Sequence, residues 1–188
     1  MRNSIWLALG LSVFFVLSNG SVAEAQKGST DLKKVREEME LLETVLNQSL
    51  TQSFGGPFGY LDKVRGVYLP GFGVAFAFEV NLTPSNITGP FSGPPSPEAL
   101  RAQGKETIRR REQAKTLAQK TIADFGHTLD ALAPKESVAI VIHTVAAQPE
   151  GVERDTVVIQ CEKQLIDSYQ ANAIDRATFL RELTVVEY

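Results

Sequence analysis

The chain has 188 residues, with 19 basic against 22 acidic side chains and a formal charge of −3. That mild balance predicts no general affinity for polyanions, so nucleic acid is not an expected partner. The single cysteine, Cys161, excludes an intramolecular disulfide, and the length suits one domain stabilised by its own core.

Met1-Arg2-Asn3 is a short positive start, Ile5 to Leu17 is an apolar run, and Ser18 to Ala25 is a small-residue segment ending Val22-Ala23-Glu24-Ala25. Small residues last and third-last before Gln26 suit a signal peptidase. The apolar run is shorter than the roughly 20 residues a helix needs to span a bilayer. Residues 1–25 therefore read as a cleaved secretory signal and 26–188 as a single exported domain, periplasmic or secreted, with no membrane span after cleavage. No cysteine follows the cut, so a lipid anchor is not expected.

From Thr30 to Ser53, the apolar residues Leu32, Val35, Met39, Leu42, Leu46 and Leu50 recur at spacings of three and four. That is one stripe of an amphipathic helix, with Lys33, Lys34, Arg36, Glu37, Glu38 and Glu40 opposite it. Thr30 or Asp31 is placed to cap its start, and Phe54-Gly55-Gly56-Pro57 ends it. Val64 to Leu82 reads as two strands joined at Pro70-Gly71, which suits the centre of a type II turn. In the second strand Val74, Phe76, Phe78, Val80 and Leu82 face one way, and Ala75, Ala77, Glu79 and Asn81 the other.

Residues 83–97 are rich in proline and glycine and read as an irregular loop. Ser96-Pro97 then has the form of a helix N-cap with a first-turn proline, opening a helix to about Phe125. Its stripe of Leu100, Ile108, Ala118, Ile122 and Phe125 is sparse, so its front half is expected in solvent and its back half packed. Ser137 to Thr144 is nearly all apolar, as a central strand is. A turn at Pro149-Glu150-Gly151 separates it from a strand over Thr156 to Glu162. Two short helices are predicted at Gln164–Gln170 and Ala177–Leu183, followed by an extended end at Thr184–Tyr188.

Hairpin-linked strands with helices between them argue an α+β domain. The expectation is a mostly antiparallel sheet of about four strands with helices packed on it, in the order α-β-β-α-β-β-α. Its core is expected to centre on Val74, Phe76, Phe78 and Val80, packed against Leu42, Leu46, Ile122 or Phe125.

The chemistry-bearing residues are few. His127 and His143 are the only histidines and have no partner at metal-ligand spacing, so no metal site is expected. There is no Gly-x-Ser-x-Gly elbow and no phosphate-binding glycine loop, so no cofactor is expected. Glu79, beside two alanines on its strand face, joins His127 and His143 as candidates for an unconventional acid/histidine site. Cys161 and His143 make a nucleophile and base only if both lie on one face of paired strands. Alternation of Cys161 with Val157 and Ile159 instead predicts a buried, inert thiol. Arg109-Arg110-Arg111 fans round a helix and reads as a solvated face. Phe58, Tyr60, Tyr68 and Phe72, among glycine- and proline-rich loops, are candidates for a binding rim. Asn47, Asn81 and Asn86 begin glycosylation acceptor patterns.

The segment Tyr68-Leu69-Pro70-Gly71-Phe72-Gly73-Val74-Ala75-Phe76-Ala77-Phe78-Glu79-Val80-Asn81-Leu82 resembles a signature of uncharacterised exported bacterial proteins, and the ending Phe179–Tyr188 is similar too. The resemblance covers most of the chain after the signal. It implies a bacterial, exported setting, and carries over no activity and no site.

With no catalytic constellation in the sequence, the leading reading is a non-enzymatic exported domain that binds a protein or surface partner. The alternative is an extracytoplasmic hydrolase built on the acid/histidine candidates.

Overall fold

The computed structural model describes residues 31–55, 59–83, 96–148 and 151–188. The segment expected to be a signal, Phe58, Asn86 and most of the proline-rich loop lie outside the described residues.

The Asp31 side chain accepts from the backbone N–H groups of Lys33 and Lys34 at 3.1 and 3.2 Å, starting helix α1 (Leu32–Phe54). Its buried stripe is Val35, Met39, Leu42, Leu46, Leu50 and Phe54, whereas Leu32 is exposed. Strands β1 (Tyr60–Leu69) and β2 (Gly73–Asn81) form an antiparallel hairpin. Phe72 N–H donates to the Leu69 carbonyl at 3.0 Å, and Gly71 has φ +81°, so Pro70-Gly71 forms the expected type II turn. Gly73 follows with φ +121°, and a Cβ there would lie 2.1 Å from the Ser137 carbonyl oxygen. Only glycine fits where the turn meets the neighbouring strand.

Helix α2 (Pro97–Phe125) is capped by Ser96, whose hydroxyl accepts from Ala99 N–H at 3.2 Å. Its buried residues begin at Ala114, so the front half stands in solvent, with Ile108 66 % exposed. A short 3-10 turn (Gly126–Thr128) leads on to β3 (Ser137–Gln148), β4 (Gly151–Glu162), α3 (Lys163–Gln170), α4 (Arg176–Glu182) and β5 (Thr184–Glu187).

The fold is α+β, and most of its strand pairs are antiparallel. Two details differ from expectation. Among the described residues the sheet has five strands, ordered β1-β2-β3-β4-β5, because Thr184–Glu187 pairs with β4. Its β2–β3 seam is parallel, with α2 as the crossover, and α4 and β5 extend the expected element order. Parallel neighbours need a long connection, and α2 with its flanking loops supplies one.

Among the described residues all four α-helices lie on one side of the sheet. The α1 stripe and the back of α2 (Ala118, Ile122) share a single buried cluster with Val74, Phe76, Phe78, Val80, Val138, Ile140, Ile142, Val157 and Ile159. Helices α3 and α4 are fastened to the end of α2. Gln170 donates to the Ala123 carbonyl at 2.8 Å, and Arg176 lies 3.6 Å from Asp124. Phe125, expected in the core, is instead 39 % exposed beside the α1–α2 groove, at the end of α2 where its own backbone has left helical geometry (φ −125°, ψ −10°).

Candidate functional site

Side chains alternate along a strand, so the register fixes what the other face of the sheet presents. One row across it reads Arg65, Ala77, Val141, Val158, Val186. The next reads Val67, Ala75, Ala139, Gln160, Thr184. A third, polar row reads Asp62, Glu79, His143, Thr156. Ala139 is buried among its neighbours, Val141 and Val158 are half-buried, and His143, Thr184 and Val186 are exposed. Among the described residues no helix lies on this face. Its two inner rows are made mostly of small and β-branched residues, and it is bordered by charge.

The structure brings two sequence candidates together here. Glu79 and His143 are register partners across the parallel seam. His143 Nδ1 lies 3.2 Å from the Thr156 hydroxyl, and Arg154 reaches Glu79 at 3.9 Å. His127 is not part of this group. It sits exposed in the 3-10 turn after α2, on the helical side.

The acid, base and hydroxyl of this row are not arranged as a nucleophilic triad. Such a triad orients one imidazole nitrogen with the acid and aims the other at the nucleophile. Here Thr156 occupies Nδ1 and the Glu79 carboxylate faces Arg154. Two grooves lie on the helical side: one of about 590 Å³ between α1 and α2, lined by Gln52, Leu117, Lys120 and Phe125 among others, and one of about 650 Å³ between α1 and β1. Neither is lined by Glu79, His127 or His143. The row's chemistry suits recognition: a carboxylate, a guanidinium, an imidazole and a hydroxyl displayed beside an apolar plane.

Cys161 is buried on the helical face, opposite Val138, while His143 pairs with Thr156 on the open face. The two never share a side, and burial pushes the thiol up to about 12. The nucleophile–base pairing is therefore excluded by register.

The aromatic candidates separate along β1. The Tyr60 hydroxyl bonds the Asn47 side chain and accepts from Val64 N–H at 2.8 Å, and its partial burial raises its pKa. The Tyr68 hydroxyl donates to the buried Glu136 at 2.7 Å, and Glu136 in turn accepts from Ala133 N–H at 2.8 Å. Phe72 is half-buried in the turn. Both tyrosine hydroxyls are thus committed to holding elements together. Asn47 likewise spends its side chain on Tyr60, Val64 and Glu43, and Asn81 accepts from Thr83 N–H at 2.9 Å.

Each arginine of the basic run has an internal partner. Arg109 makes two bonds to Glu106, at 2.6 and 2.7 Å. Arg110 lies over the Phe54 ring at 5.5 Å, and Arg111 pairs with Asp155. Lys115 reaches Glu187 at 2.7 Å, a hydrogen bond that raises the lysine pKa and lowers that of the glutamate. Of these, Arg111 and Lys115 tie α2 to strands β4 and β5, and Arg110 ties it to α1.

Sequence periodicity did not reveal two carboxylates that hold the fold. Glu43 accepts from Gly66 N–H at 2.6 Å, and Glu38, assigned to the solvent side of α1, accepts from Ala131 N–H at 2.9 Å. Their partners are 23 and 93 residues away, and no local pattern carries that information.

No protein-family model, no curated protein and no solved structure matches this chain.

Proposed function

We propose that this chain is an exported, non-enzymatic domain that binds a protein partner through the open face of its sheet. The observation that carries the reading is the one-sided packing. Four helices cover one face, while the other presents Ala77, Val141, Val158 and Val186 in one row with Glu79, His143 and Arg154 at its border. A contiguous apolar patch with a polar rim marks an interaction surface. The three-part N-terminus supports export, and mass spectrometry of the native protein then finds Gln26 as its first residue. The resemblance of Tyr68–Leu82 to exported bacterial proteins is consistent with that setting.

The test is a paired capture from the extracytoplasmic fraction with wild type and Ala77→Arg. A guanidinium set into the apolar row at its β2 position, beside Val141, abolishes capture while the thermal melt is kept. Equal capture by both proteins overturns the reading. The hydrolase alternative rests on the Glu79–His143–Thr156 row. It requires turnover that is lost in His143→Ala with the fold intact.

A further inference from the structure

The two edges of the sheet are treated differently. Edge strands expose unpaired backbone groups, and natural proteins usually cover or blunt them. At β1 the outer edge is closed by α1: the Glu43 carboxylate takes Gly66 N–H at 2.6 Å, and the Asn47 side chain takes Val64 N–H at 3.0 Å. At β5 no described element plays that part.

The register shows which groups are left. Thr156 and Tyr188 exchange both backbone bonds, at 2.8 and 3.0 Å, so Tyr188, Val186 and Thr184 turn their N–H and C=O groups inward to β4. By alternation Val185 and Glu187 turn theirs outward. The strand is also open on both faces, with Val185 38 %, Val186 46 % and Tyr188 74 % exposed.

We propose that β5 pairs with β5 of a second copy of this chain, antiparallel about a two-fold axis at Val186. The strand is self-complementary in that register. Val185 exchanges both backbone bonds with Glu187 of the partner subunit, and the reverse pair does the same. On the open face Val186 meets its own copy and Thr184 faces Tyr188 of the partner subunit. On the helical face Val185 faces Glu187 of the partner subunit, a carboxylate already neutralised by Lys115 at 2.7 Å within its own chain. Glu187 and Glu187 of the partner subunit lie diagonally across the axis, about 7–8 Å apart, and each is already paired with Lys115 of its own chain, so the symmetric contact adds no unpaired charge. The product is one continuous ten-stranded sheet whose two open faces join across the seam. Four residues per strand make a contact at the small end of the interface range, so the dimer is weak and concentration-dependent.

Sedimentation equilibrium from about 10 μM to about 1 mM, a span that brackets weak association, reads the dimer directly. Wild type moves from monomer towards dimer mass, and Val186→Lys, which sets two ammonium groups against each other, weakens the dimer at least ten-fold with an unchanged melt. Val186→Cys forms an intermolecular 186–186 disulfide under mild oxidation, because opposed positions without backbone bonds lie within disulfide reach. Should Val186→Lys not fold, the cross-link decides alone. Monomer mass throughout, a dimer insensitive to Val186→Lys, or the absence of the 186–186 cross-link overturns the proposal.

Discussion

Glu79 and His143 stand side by side across the parallel β2–β3 seam, on the face of the sheet that no described helix covers. Each also has a partner from β4: Arg154 at 3.9 Å from Glu79 and Thr156 at 3.2 Å from His143. With Asp62 of β1, four strands thus contribute to one polar row, and none of its members anchors the core. Exposed ion pairs contribute about 0–1 kcal/mol. His143→Ala and Glu79→Ala should therefore stay within about 1 kcal/mol of wild type in urea melts, while weakening partner binding. A large loss of stability in either variant would assign the row a structural role.

The opposite face behaves differently. Phe76 is fully buried and Phe78 nearly so, both in the cluster shared by α1 and α2. Phe76→Ala and Phe78→Ala should each cost about 3–5 kcal/mol, a large part of a domain's net stability. Arg110→Ala, which removes only a cation stacked on Phe54, should cost about 0.5–1 kcal/mol. Denaturant melts of the three variants check the order.

Two glycines of one hairpin should differ sharply. Gly71→Ala puts a side chain into open space at φ +81° and should cost about 1 kcal/mol. Gly73→Ala places Cβ against the Ser137 backbone at φ +121°, and should disrupt the β2–β3 junction. Thermal melts separate them: a modest shift for the first, failure to reach a cooperative fold for the second.

Burial raises the Cys161 thiol from an ordinary value of 9.0 to about 12. A raised acid holds its proton longer in the folded than in the unfolded chain. Its stabilising contribution is therefore complete below about pH 9 and is lost as pH climbs towards 12. Cys161→Ala should flatten the alkaline limb of a stability–pH curve. The native wild-type thiol should react slowly with an alkylating reagent at pH 8 and rapidly in denaturant. Fast labelling of the native state would contradict the burial.

Much of this fold was legible locally. The stripe of α1, the alternation of β2, the Ser96-Pro97 start of α2 and the Pro70-Gly71 turn are each encoded within a few residues, and the structure has them. Pairing is not local. Alternation tells which side of a strand is polar but not which strand lies beside it, so the parallel seam and the Glu79–His143 neighbourhood were invisible. The five exposed residues Thr184–Tyr188 read only as an extended end, because their strand character comes from bonds to β4. Arg110 and Arg111 read as part of a solvated face because Phe54 and Asp155 are distant in sequence.

The central claim is that the open face is where a partner docks, and site-specific photo-crosslinking tests it most directly. A photoreactive residue replaces Val141 in the centre of that face, and a second protein carries it at Lys120 in the α1–α2 groove. Both are exposed to the native extracytoplasmic fraction. The expected result is one discrete adduct from position 141, of a mass other than twice the chain, that disappears when Ala77→Arg is added, and none from position 120. An adduct from position 120 with none from position 141 would move the docking surface to the helical side and contradict the account.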